Sequence, residues 1–514
     1  YTTSMKQFAE LPDVDIAPKG TILVISPWNF PCAIPIGGIV AGLAGGNTVI
    51  LKPATVAAPV AWLFAKAFWD AGVPKEALQV VITDREALKV LTTAPAVKHI
   101  ILTGGTDTAQ NIARSNPATP LSAETGGKNA IILTASGDRD HAIMNIVASA
   151  FGNAGQKCSA CSLLLVERSV YEDKNFQDKL KDAATSMKVG SVWNPGNVVG
   201  PMITNKNDKL LKALELEKGE SWLVPPRFLD KHKYVLAPTV KWGVRPGNYS
   251  FRTELFGPML SVVCIENLQQ GIDLVNSLEY GLTSGLQSLD EGEQKLWKDS
   301  IMAGNLYINR GITGAIVNRQ PFGGMKLSAF GGGVKAGGPN YCACFVNIAD
   351  KPGSTTDYTQ SYVKAYEQEF AHARDVNNLY GEQNAFRYLP LKNMVLRLFP
   401  GDNNEDAKMI ALAARICHTP LSISFEPGDD RTAALASLGC PLKEEALAGF
   451  LKSMKNYERI RTCGADIPME MYEEAARRNK YIATAKPVKN GRVELIHYIK
   501  EQSISFEYHR YGSI

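Results

Sequence analysis

The sequence predicts an α/β protein built around parallel β-sheets, and three observations lead to this fold class. Short apolar runs of strand length alternate with helical patterns from about residue 20 onward. Connections of roughly 10 to 20 residues separate the runs, which is typical of βαβ units on a parallel sheet. The 514 residues are 45% hydrophobic and 21% charged, an ordinary balance for a globular protein with a large core.

The first 135 residues contain five predicted strands of suitable length and β-branched content. Between the first two strands, the stretch from Pro31 to Gly46 holds five glycines and two prolines in 16 residues. This composition is poor for a bilayer span and predicts a glycine-rich helix packed against the sheet. The five strands are GTILVIS (20–26), NTVILKP (47–53), LQVVIT (78–83), VKHIILTGG (97–105) and NAIILTA (129–135).

The alternation of strands and helices continues from about residue 160 to 300, and a glycine-rich stretch follows at 321–339. A cluster of Pro, Gly, Ser and Thr at 349–360 is typical of a linker and predicts a domain boundary. Beyond it, residues 393–425 predict a strand, a helix and a second strand. The chain ends in an aromatic segment that includes EYHRYG (507–512).

Charge and cysteine content narrow the class of partner. A net charge of +4, without a run of five or six like charges, does not indicate a nucleic-acid surface, so we expect a small-molecule ligand. The nine cysteines are odd in number and irregularly spaced, which favours a reducing compartment, and we expect the cytoplasm. No membrane contact or signal peptide is indicated, and without an initiator Met the chain is expected to begin mid-protein.

Cys158 and Cys161 have a C-x-x-C spacing that allows several interpretations. A structural zinc site needs four ligands, and the other close pair, Cys342 with Cys344, lies in a different kind of segment, so we expect no metal. A redox dithiol would begin a helix, whereas these residues follow a predicted helix (141–154) and lead into the strand CSLLLVE. A single thiolate nucleophile and two core thiols remain open.

The stretch LTGGTDTAQNIA (102–113) predicts a strand that ends at a Gly-Gly turn, with a helix opening near Asp107. Free backbone N–H groups at such a helix start could face a pyrophosphate. The signal is weak by itself, because the G-x-G-x-x-G fingerprint is absent and such turns are often structural.

Seven motifs, in order over about 320 residues, resemble those of the NAD(P)-dependent aldehyde dehydrogenase superfamily. This resemblance implies a Rossmann-like NAD-binding domain and an α/β catalytic domain over residues 1 to about 350, with the family's first elements missing before Tyr1. The motifs are SPWNFP (26–31), LKPA (51–54), LTGGT (102–106), SAETGGKNA (122–130), GNAGQKCSA (152–160), ELFGP (254–258) and NRQPFGG (318–324).

The resemblance implies that Cys158 is the nucleophile and Cys161 a bystander. A Cys158 thiolate would attack an aldehyde carbon to give a thiohemiacetal, which hydride loss converts to a thioester. Asn29 and the Cys158 backbone N–H would stabilise the oxyanion. Glu124 would be the general base for the water that opens the thioester. Lys157, beside the nucleophile, either stabilises charge or faces solvent.

The resemblance further implies NAD as cofactor. Lys52 would bind the adenine-side ribose, Glu254 the nicotinamide ribose, and Phe256 the nicotinamide ring. Two departures leave NADP open: Thr55 stands where the family commonly has an acid that repels a 2′-phosphate, and Gly105 where it usually has Ser. The full predicted cofactor set is Ser26, Pro27, Trp28, Lys52, Gly104, Gly105, Thr125, Gly126, Glu254 and Phe256.

The loop FGGMKLSAFGGGVKAGGPNY (322–341) resembles the substrate anchor of L-glutamate γ-semialdehyde dehydrogenases, although it is longer by about two residues. By this resemblance the substrate α-carboxylate would accept hydrogen bonds from hydroxyl and backbone N–H donors. A turn serine without a substrate role is the alternative for Ser328. The predicted substrate-binding residues are Ser159, Ser328, Ala329 and Phe330.

The tail resembles the carboxy-terminal extension of bifunctional proline utilization A proteins. That resemblance implies an upstream proline dehydrogenase domain that holds FAD, passage of the intermediate between the two sites, and a homodimer. The predicted domains are part of an oligomerisation flap (1–16), the NAD-binding domain (17–126), the catalytic domain (127–340), an oligomerisation strand (341–350) and the α/β extension (351–514).

Three other functions compete with oxidation of glutamate semialdehyde. An aldehyde dehydrogenase for another aldehyde would be indifferent to a carboxylate on its substrate. An enzyme that passes the acyl group to coenzyme A would have no use for Glu124 as a base. A catalytically silent assembly domain would leave Cys158 unreactive.

Overall fold

The computed structural model describes residues 2–464 and 466–508. The chain divides into two compact units. Unit 1 comprises residues 1–125, 329–374 and 386–501, and unit 2 comprises residues 126–328, 375–385 and 502–514.

The strands, in chain order, are β1 Val14–Pro18, β2 Thr21–Ser26, β3 Thr48–Pro53, β4 Leu78–Val80, β5 Val97–Thr103, β6 Leu121–Glu124, β7 Asn129–Leu133, β8 Cys161–Glu167, β9 Ser221–Val224, β10 Thr239–Trp242, β11 Met259–Ile265, β12 Tyr280–Gly281, β13 Thr283–Gln287, β14 Asn305–Ile308, β15 Met325–Lys326, β16 Ala329–Phe330, β17 Val346–Asp350, β18 Glu382–Pro390, β19 Met394–Arg397, β20 Leu421–Phe425, β21 Leu442–Glu444, β22 Arg459–Arg461, β23 Tyr481–Ala483 and β24 Ile499–Glu507.

The α-helices are α1 Thr2–Ala9, α2 Ala33–Ala44, α3 Ala58–Asp70, α4 Arg85–Thr93, α5 Thr106–Ser115, α6 Arg139–Phe151, α7 Arg168–Tyr171, α8 Lys174–Ser186, α9 Asp208–Ala213, α10 Tyr249–Arg252, α11 Leu268–Ser277, α12 Glu291–Ser300, α13 Tyr358–Ala365, α14 Asn404–Ile416, α15 Thr432–Ala436, α16 Leu447–Ser453, α17 Met469–Arg478 and α18 Gly491–Glu494.

A six-stranded sheet in unit 1 has the order β16-β6-β5-β2-β3-β4. All neighbours pair in parallel except β16, which is antiparallel to β6. Side chains of β2 alternate between two apolar clusters, with Ile22 and Val24 in one and Leu23 and Ile25 in the other. The sheet therefore has a buried face on each side, as expected for parallel βαβ units.

Four of the five strands predicted in the first 135 residues belong to this sheet, as β2 to β5, and the fifth is β7. The predicted glycine-rich helix is confirmed as α2, where a Cβ on Gly42 would lie 2.9 Å from a methyl group of Val49 in β3. Glycine thus allows close contact between helix and strand. The third predicted strand, observed as β4, stops at Val80, short of the predicted Thr83. The chain then continues to Asp84, which caps α4.

A second sheet in unit 1 consists entirely of parallel strands from the C-terminal part of the chain, in the order β21-β20-β19-β22-β23. The strand, helix and strand predicted at 393–425 are confirmed as β19, α14 and β20. Helix α17, which joins β22 to β23, also contacts α5 beside the six-stranded sheet. Residues 394–483 of the tail therefore form an α/β layer packed within unit 1.

Two short strands, β1 and β17, form an antiparallel ribbon with Val14 opposite Asp350. The second strand was expected to begin near Tyr341, but Tyr341–Phe345 forms a 3-10 helix. Tyr341 and Phe345 pack edge to face in the cluster under α2, which fixes this turn. A role of the ribbon in oligomerisation stays a prediction.

A nine-stranded sheet has the order β18-β24-β14-β13-β7-β8-β11-β10-β9. The strands from β24 to β10 pair in parallel. The aromatic end of the chain enters this sheet, with Ser503 opposite Asn305 and Phe506 opposite Ile308. Residues 509–512 of the predicted terminal motif lie outside the described residues.

The α/β fold class with parallel sheets is confirmed, and the C-terminal extension is α/β as predicted. No helix in the described part of the chain is long and apolar enough to span a membrane.

We predict that the Arg461–Glu494 ion pair is the most sensitive polar contact of the extension. Both side chains are fully buried and lie 3.0 Å apart. Arg461→Met should lower the free energy of unfolding by about 3–5 kcal/mol, since Glu494 would remain as an uncompensated buried charge. Urea unfolding, followed by hydrogen exchange of β22 and β23, measures the loss.

Arg477→Met on α17 is the matched control, because Arg477 is 63% exposed and pairs with Glu474 at 3.0 Å. An exposed pair contributes about 0–1 kcal/mol. Equal losses in the two variants would contradict the prediction.

Candidate functional site

The predicted cofactor residues of unit 1 lie at one edge of the six-stranded sheet. Among the strands of this sheet, β2 comes first in the chain. It lies between β3 and β5, so the order of strands reverses between β2 and β5. Ligands of open parallel sheets bind at such a switch point, beyond the carboxyl ends of the strands. Ser26 ends β2, and Gly104 follows the end of β5.

Gly104 and Gly105 connect β5 to α5 as the sequence predicts. Gly105 is the N-cap of α5, and a Cβ placed on it would meet no atom within 4 Å. The start of the ten-residue helix α5 is therefore open to a ligand in unit 1. Backbone N–H groups at this position suit an anion such as a pyrophosphate.

Lys52 lies near the end of β3, opposite Ile25 of β2. Burial lowers the pKa of the Lys52 ammonium group. Thr55, at the position where the family commonly has an acid, is exposed and begins a short 3-10 helix. The adenine-side edge thus holds one lysine and a neutral hydroxyl.

Pro27, Trp28 and Asn29 form the bend between β2 and α2, and all three are half-buried. The bend follows directly from β2, so it lies at the same edge of the sheet as Ser26.

Glu124 is the last residue of β6 and is half-buried. Its carbonyl oxygen accepts a hydrogen bond of 3.1 Å from the Gly104 N–H, which links it to the turn after β5. Ala329 of β16 lies opposite Glu124, and Phe330 packs partly buried on the cluster of β2 and β5. Unit 1 therefore brings Glu124, Ala329 and the Gly104 turn together, with Thr125 buried next in the chain.

In unit 2, the predicted nucleophile follows α6 on a tight turn. Asn153 and Ala154 have left-handed backbone angles, with φ of 58° and 54°, a conformation that non-glycine residues seldom adopt. Cys158 is half-buried. Burial lowers the pKa of Lys157, and the adjacent Cys158 opposes this shift. The thiol thus has a partly buried lysine next to it in the chain.

Asn129 holds the nucleophile turn, a role that the sequence analysis did not assign. Its amide nitrogen donates to the carbonyl oxygens of Cys158 and Ala160 at 2.6 and 3.0 Å. Its amide oxygen accepts from the Thr283 N–H at 3.1 Å. Asn129 follows the Gly-Gly-Lys segment within the same motif, and that adjacency was the available signal.

Cys161 differs from Cys158 in burial. It is 1% exposed on β8, and burial raises the pKa of its thiol to about 12. Its thiol donates to the Leu163 carbonyl oxygen. All nine cysteines are free thiols. In residues 2–464 and 466–508, no group of three or more His, Cys, Asp or Glu residues could hold a metal ion.

The Glu254 carboxylate lies against Gly126 and Gly127, the glycine turn at the start of unit 2. Its Oε1 accepts a hydrogen bond of 2.8 Å from the Gly127 N–H, and a Cβ on Gly126 would lie 2.2 Å from its Oε2. Burial raises the pKa of Glu254. The buried Lys128 follows, and burial lowers the pKa of its ammonium group to about 7, opposed by Cys161 and Glu254.

Phe256 has a left-handed backbone, with φ of 51°. The next residue lies against the nucleophile turn, since a Cβ on Gly155 would be 2.2 Å from the Gly257 carbonyl oxygen. A cavity in unit 2 is lined by Gly155 and Gly257 together with Gly127, Lys157 and Glu254. The cavity is therefore lined by two residues of the nucleophile turn and by the predicted cofactor residues Glu254 and Phe256, with Cys161 rather than Cys158 in its wall.

The predicted substrate residues Ser159 and Ser328 are both buried in unit 2. The Ser159 carbonyl oxygen accepts a hydrogen bond from the Thr283 hydroxyl at 3.4 Å. The Ser328 hydroxyl oxygen accepts from the Gly281 N–H at 3.0 Å, which leaves its proton for an acceptor. A Cβ on Gly324 would lie 2.4 Å from the Ser328 Cβ, so the loop needs glycine there.

Comparison with known proteins identifies the family. A model described as the aldehyde dehydrogenase family matches residues 4–350, and the predicted extension begins at Lys351. A 1-pyrroline-5-carboxylate dehydrogenase of Geobacillus sp. (strain WCH70) is 36% identical over 335 residues, which are 63% of this chain. That of Bacillus subtilis (strain 168) is 34% identical over 333 residues. The chain spans 64% of the length of each relative.

Solved structures extend the comparison to the C-terminal part. Proline utilization A from Corynebacterium freiburgense is 36% identical, with a TM-score of 0.87 that covers 100% of this chain and 52% of that protein. A Thermus 1-pyrroline-5-carboxylate dehydrogenase with bound NAD is 33% identical, with a TM-score of 0.61 over 66% of this chain and 67% of that one.

The match covers the whole six-stranded sheet and every motif that positions the predicted residues, from the bend after β2 to the loop before β16. The family resemblance of the sequence is therefore confirmed: the chain belongs to the aldehyde dehydrogenase family.

Proposed function

We propose that the chain oxidises L-glutamate γ-semialdehyde, the open form of 1-pyrroline-5-carboxylate, to L-glutamate with NAD. The observation that carries this proposal is the half-buried Cys158 thiol on a turn fixed by Asn129. This thiol stands in a chain that is 36% identical to a 1-pyrroline-5-carboxylate dehydrogenase. Family membership supports the reaction type, and this relative supports the substrate.

The Cys158 thiolate attacks the aldehyde carbon, which forms a C–S bond and places the carbonyl electron pair on oxygen. The turn suits a nucleophile because Asn129 binds two of its carbonyl oxygens and Gln156 accepts a hydrogen bond from the Ile203 N–H at 2.9 Å. A fixed nucleophile lowers the entropic part of the barrier. The Asn29 amide and the Cys158 N–H donate hydrogen bonds to the oxyanion, and such a donor is worth about 10²–10³ in rate.

NAD, when bound, supplies the acceptor for the hydride that leaves the thiohemiacetal carbon. The chain holds groups that fit this cofactor: an open helix start at Gly105, a partly buried Lys52, and the Glu254 carboxylate for ribose hydroxyls. The similar Thermus enzyme has NAD bound in its solved structure, which supports NAD here. Ser26, Trp28 and Phe256 complete the proposed contacts.

Glu124 then takes a proton from water, whose oxygen adds to the thioester carbon. The C–S bond breaks, the carboxylic acid forms and ionises, and the Cys158 thiolate is regenerated. General-base assistance of this kind contributes about 10²–10⁴ in rate. Ser159, Ser328 and the Ala329 N–H are the proposed donors to the α-carboxylate of the substrate, and Phe330 lies beside them in the chain.

We further propose that the chain is one half of a bifunctional protein whose other half is an FAD-dependent proline dehydrogenase. The similarity of the whole chain to 52% of the Corynebacterium freiburgense proline utilization A supports this. Proline oxidation yields pyrroline-5-carboxylate, which hydrolyses to the semialdehyde, so the two activities act in sequence. Passage of this intermediate between the sites, a homodimer and a cytoplasmic location belong to the same proposal.

Cys158→Ser should lower NADH formation by at least about 10³-fold, because the hydroxyl is a far weaker nucleophile than a thiolate. Cys161→Ala is the matched control and should keep most of the activity, since Cys161 is a core thiol. Mass spectrometry after brief treatment with iodoacetamide at pH 7 should find Cys158 alkylated and Cys161 intact, because the Cys161 pKa is about 12. Labelling of Cys161 before Cys158 would reverse the assignment.

The substrate proposal predicts a strong preference for glutamate semialdehyde over pentanal, which has the same chain length without the charged groups. We expect kcat/KM to differ by about 100-fold or more, roughly 2.7 kcal/mol. NADH formation by the natural full-length protein measures both rates. Near-equal values would leave an aldehyde dehydrogenase with another substrate.

Thr55→Glu should raise KM for NADP by about tenfold or more and change KM for NAD little. An acid at this position repels the 2′-phosphate and accepts hydrogen bonds from ribose hydroxyls. Thr48→Glu is the matched control, because Thr48 is also exposed but lies at the opposite end of β3. An unchanged ratio of the two KM values would place the adenine ribose elsewhere.

A further inference from the structure

Unit 1 contains a buried charged cluster that none of the proposed steps uses. It joins the glycine-rich loop after β16 to the start of the terminal strand β24. Lys335 is 1% exposed and Glu501 is 4% exposed. Buried lysines and glutamates are rare unless they are paired, so this cluster needs an explanation.

The cluster is held by short hydrogen bonds. The Lys335 backbone N–H donates to the Glu501 Oε2 at 2.7 Å. The Asn340 side-chain amide donates to the Glu501 Oε1 at 2.7 Å and lies 3.1 Å from the Tyr388 hydroxyl. Both carboxylate oxygens of Glu501 are thus used to fix the loop that carries Lys335.

The same loop lies against the strand of the proposed general base. Ala329 pairs with Glu124, and a Cβ on Gly331 would lie 2.6 Å from the Leu121 carbonyl oxygen. Gly331 has φ of 100°, which favours glycine, so the backbone can turn closely over β6. Lys335 follows in the same loop, and its backbone N–H donates to Glu501 of β24.

Two carboxylates stabilise the Lys335 ammonium group. Burial lowers the pKa of Lys335, and Glu124, followed by Glu501, opposes this shift. Burial raises the pKa of Glu501, and Asn340 and the Lys335 N–H oppose that shift. Glu124 and Glu501 are therefore the two carboxylates close to the buried cation.

The other titratable groups that face Glu501 are Arg492, Tyr388 and Cys344. Burial raises the Tyr388 pKa well above its ordinary value and the Cys344 pKa to about 12. Both groups therefore stay protonated between pH 5 and 9.

We propose that Lys335 is a positioning residue for the reaction: its buried side chain, on a loop that Glu501 of β24 holds through the Lys335 backbone N–H, orients the Glu124 carboxylate towards its water. This inference rests on the proposed role of Glu124 as the general base. It makes the last strand of the extension a support of the hydrolytic step.

The sign of the pH effect follows from the charges. A cation near a carboxylate stabilises its ionised form, so the base is active from a lower pH upward. Removal of the cation removes this stabilisation. The acid limb of the hydrolytic rate, the pH range in which the rate rises with pH, then moves to higher pH. A shift of one pH unit lowers the rate about tenfold on the acid side.

The test uses hydrolysis of p-nitrophenyl acetate by the natural full-length protein, since this ester acylates Cys158 without NAD or an aldehyde. The burst of nitrophenolate reports acylation, and the steady rate reports attack of water on the thioester. Lys335→Met should keep the burst and move the acid limb of the steady rate upward by about one pH unit or more. A limb within about 0.3 unit of the wild type would overturn the proposal.

Lys335→Met/Glu501→Gln is the second variant, because it avoids an unpaired buried carboxylate and should fold where the single variant does not. Its limb should still move upward by at least about half a unit, since the cation near Glu124 is missing in this variant as well. A return of the double variant to the wild-type limb would mean that Lys335 only compensates Glu501, which refutes the role at Glu124.

Lys241→Met is the matched control. Lys241 is 1% exposed and lies 2.8 Å from the buried Glu220, so its loss removes an equally buried lysine from a region without a predicted site residue. It should lower the melting temperature without moving the limb. A limb shift equal to that of Lys335→Met would overturn the proposal.

The outcome is separable from failure of the proposed function. Ester hydrolysis with the expected limb, in an enzyme that does not oxidise glutamate semialdehyde, would refute the substrate and keep the role of Lys335. A steady rate that Glu124→Gln leaves unchanged would refute the general base and this inference together.

Discussion

The parallel hydrogen-bond ladder around β2 is the constraint on which the cofactor side of the molecule depends. Strands β2, β3, β5 and β6 all run in the same direction, so their carboxyl ends meet at one edge of the sheet. Segments that are far apart in sequence, such as Ser26, Lys52, Gly104 and Glu124, therefore lie along that edge. The reversal of strand order beside β2 then leaves a crevice for a ligand.

A second constraint is backbone conformation at the nucleophile of unit 2. The turn before Cys158 contains two left-handed residues, and the Phe256 backbone is left-handed as well. Such conformations cost energy and persist where surrounding contacts enforce them. Asn129 supplies two of those contacts, and the close approach of Gly155 to Gly257 supplies another. Part of the backbone strain of the chain thus lies where the proposed reaction needs a fixed thiol.

The C-terminal extension forms an α/β layer of its own. It also contacts the loop that carries Lys335, the proposed positioning residue. Helix α17 contacts α5, and Glu501 fixes the loop that carries Lys335. The similarity over the whole chain to a proline utilization A protein includes this extension, whereas the match to the Thermus enzyme covers 66% of the chain. The extension therefore combines a structural role with the proposed support of Glu124.

The α/β class, the strands β2 to β5 and β7, the helix α2 and the family could all be predicted from the amino-acid sequence, because periodicity and contiguous motifs are local properties. The sequence also placed Cys158 and Glu124 in recognisable segments. The burial of Cys161, the hold of Asn129 on the nucleophile turn and the contact of Lys335 with Glu501 became known only from the folded chain. Those contacts join residues 29 to 166 positions apart, and burial and long-range pairing leave no pattern in a single sequence.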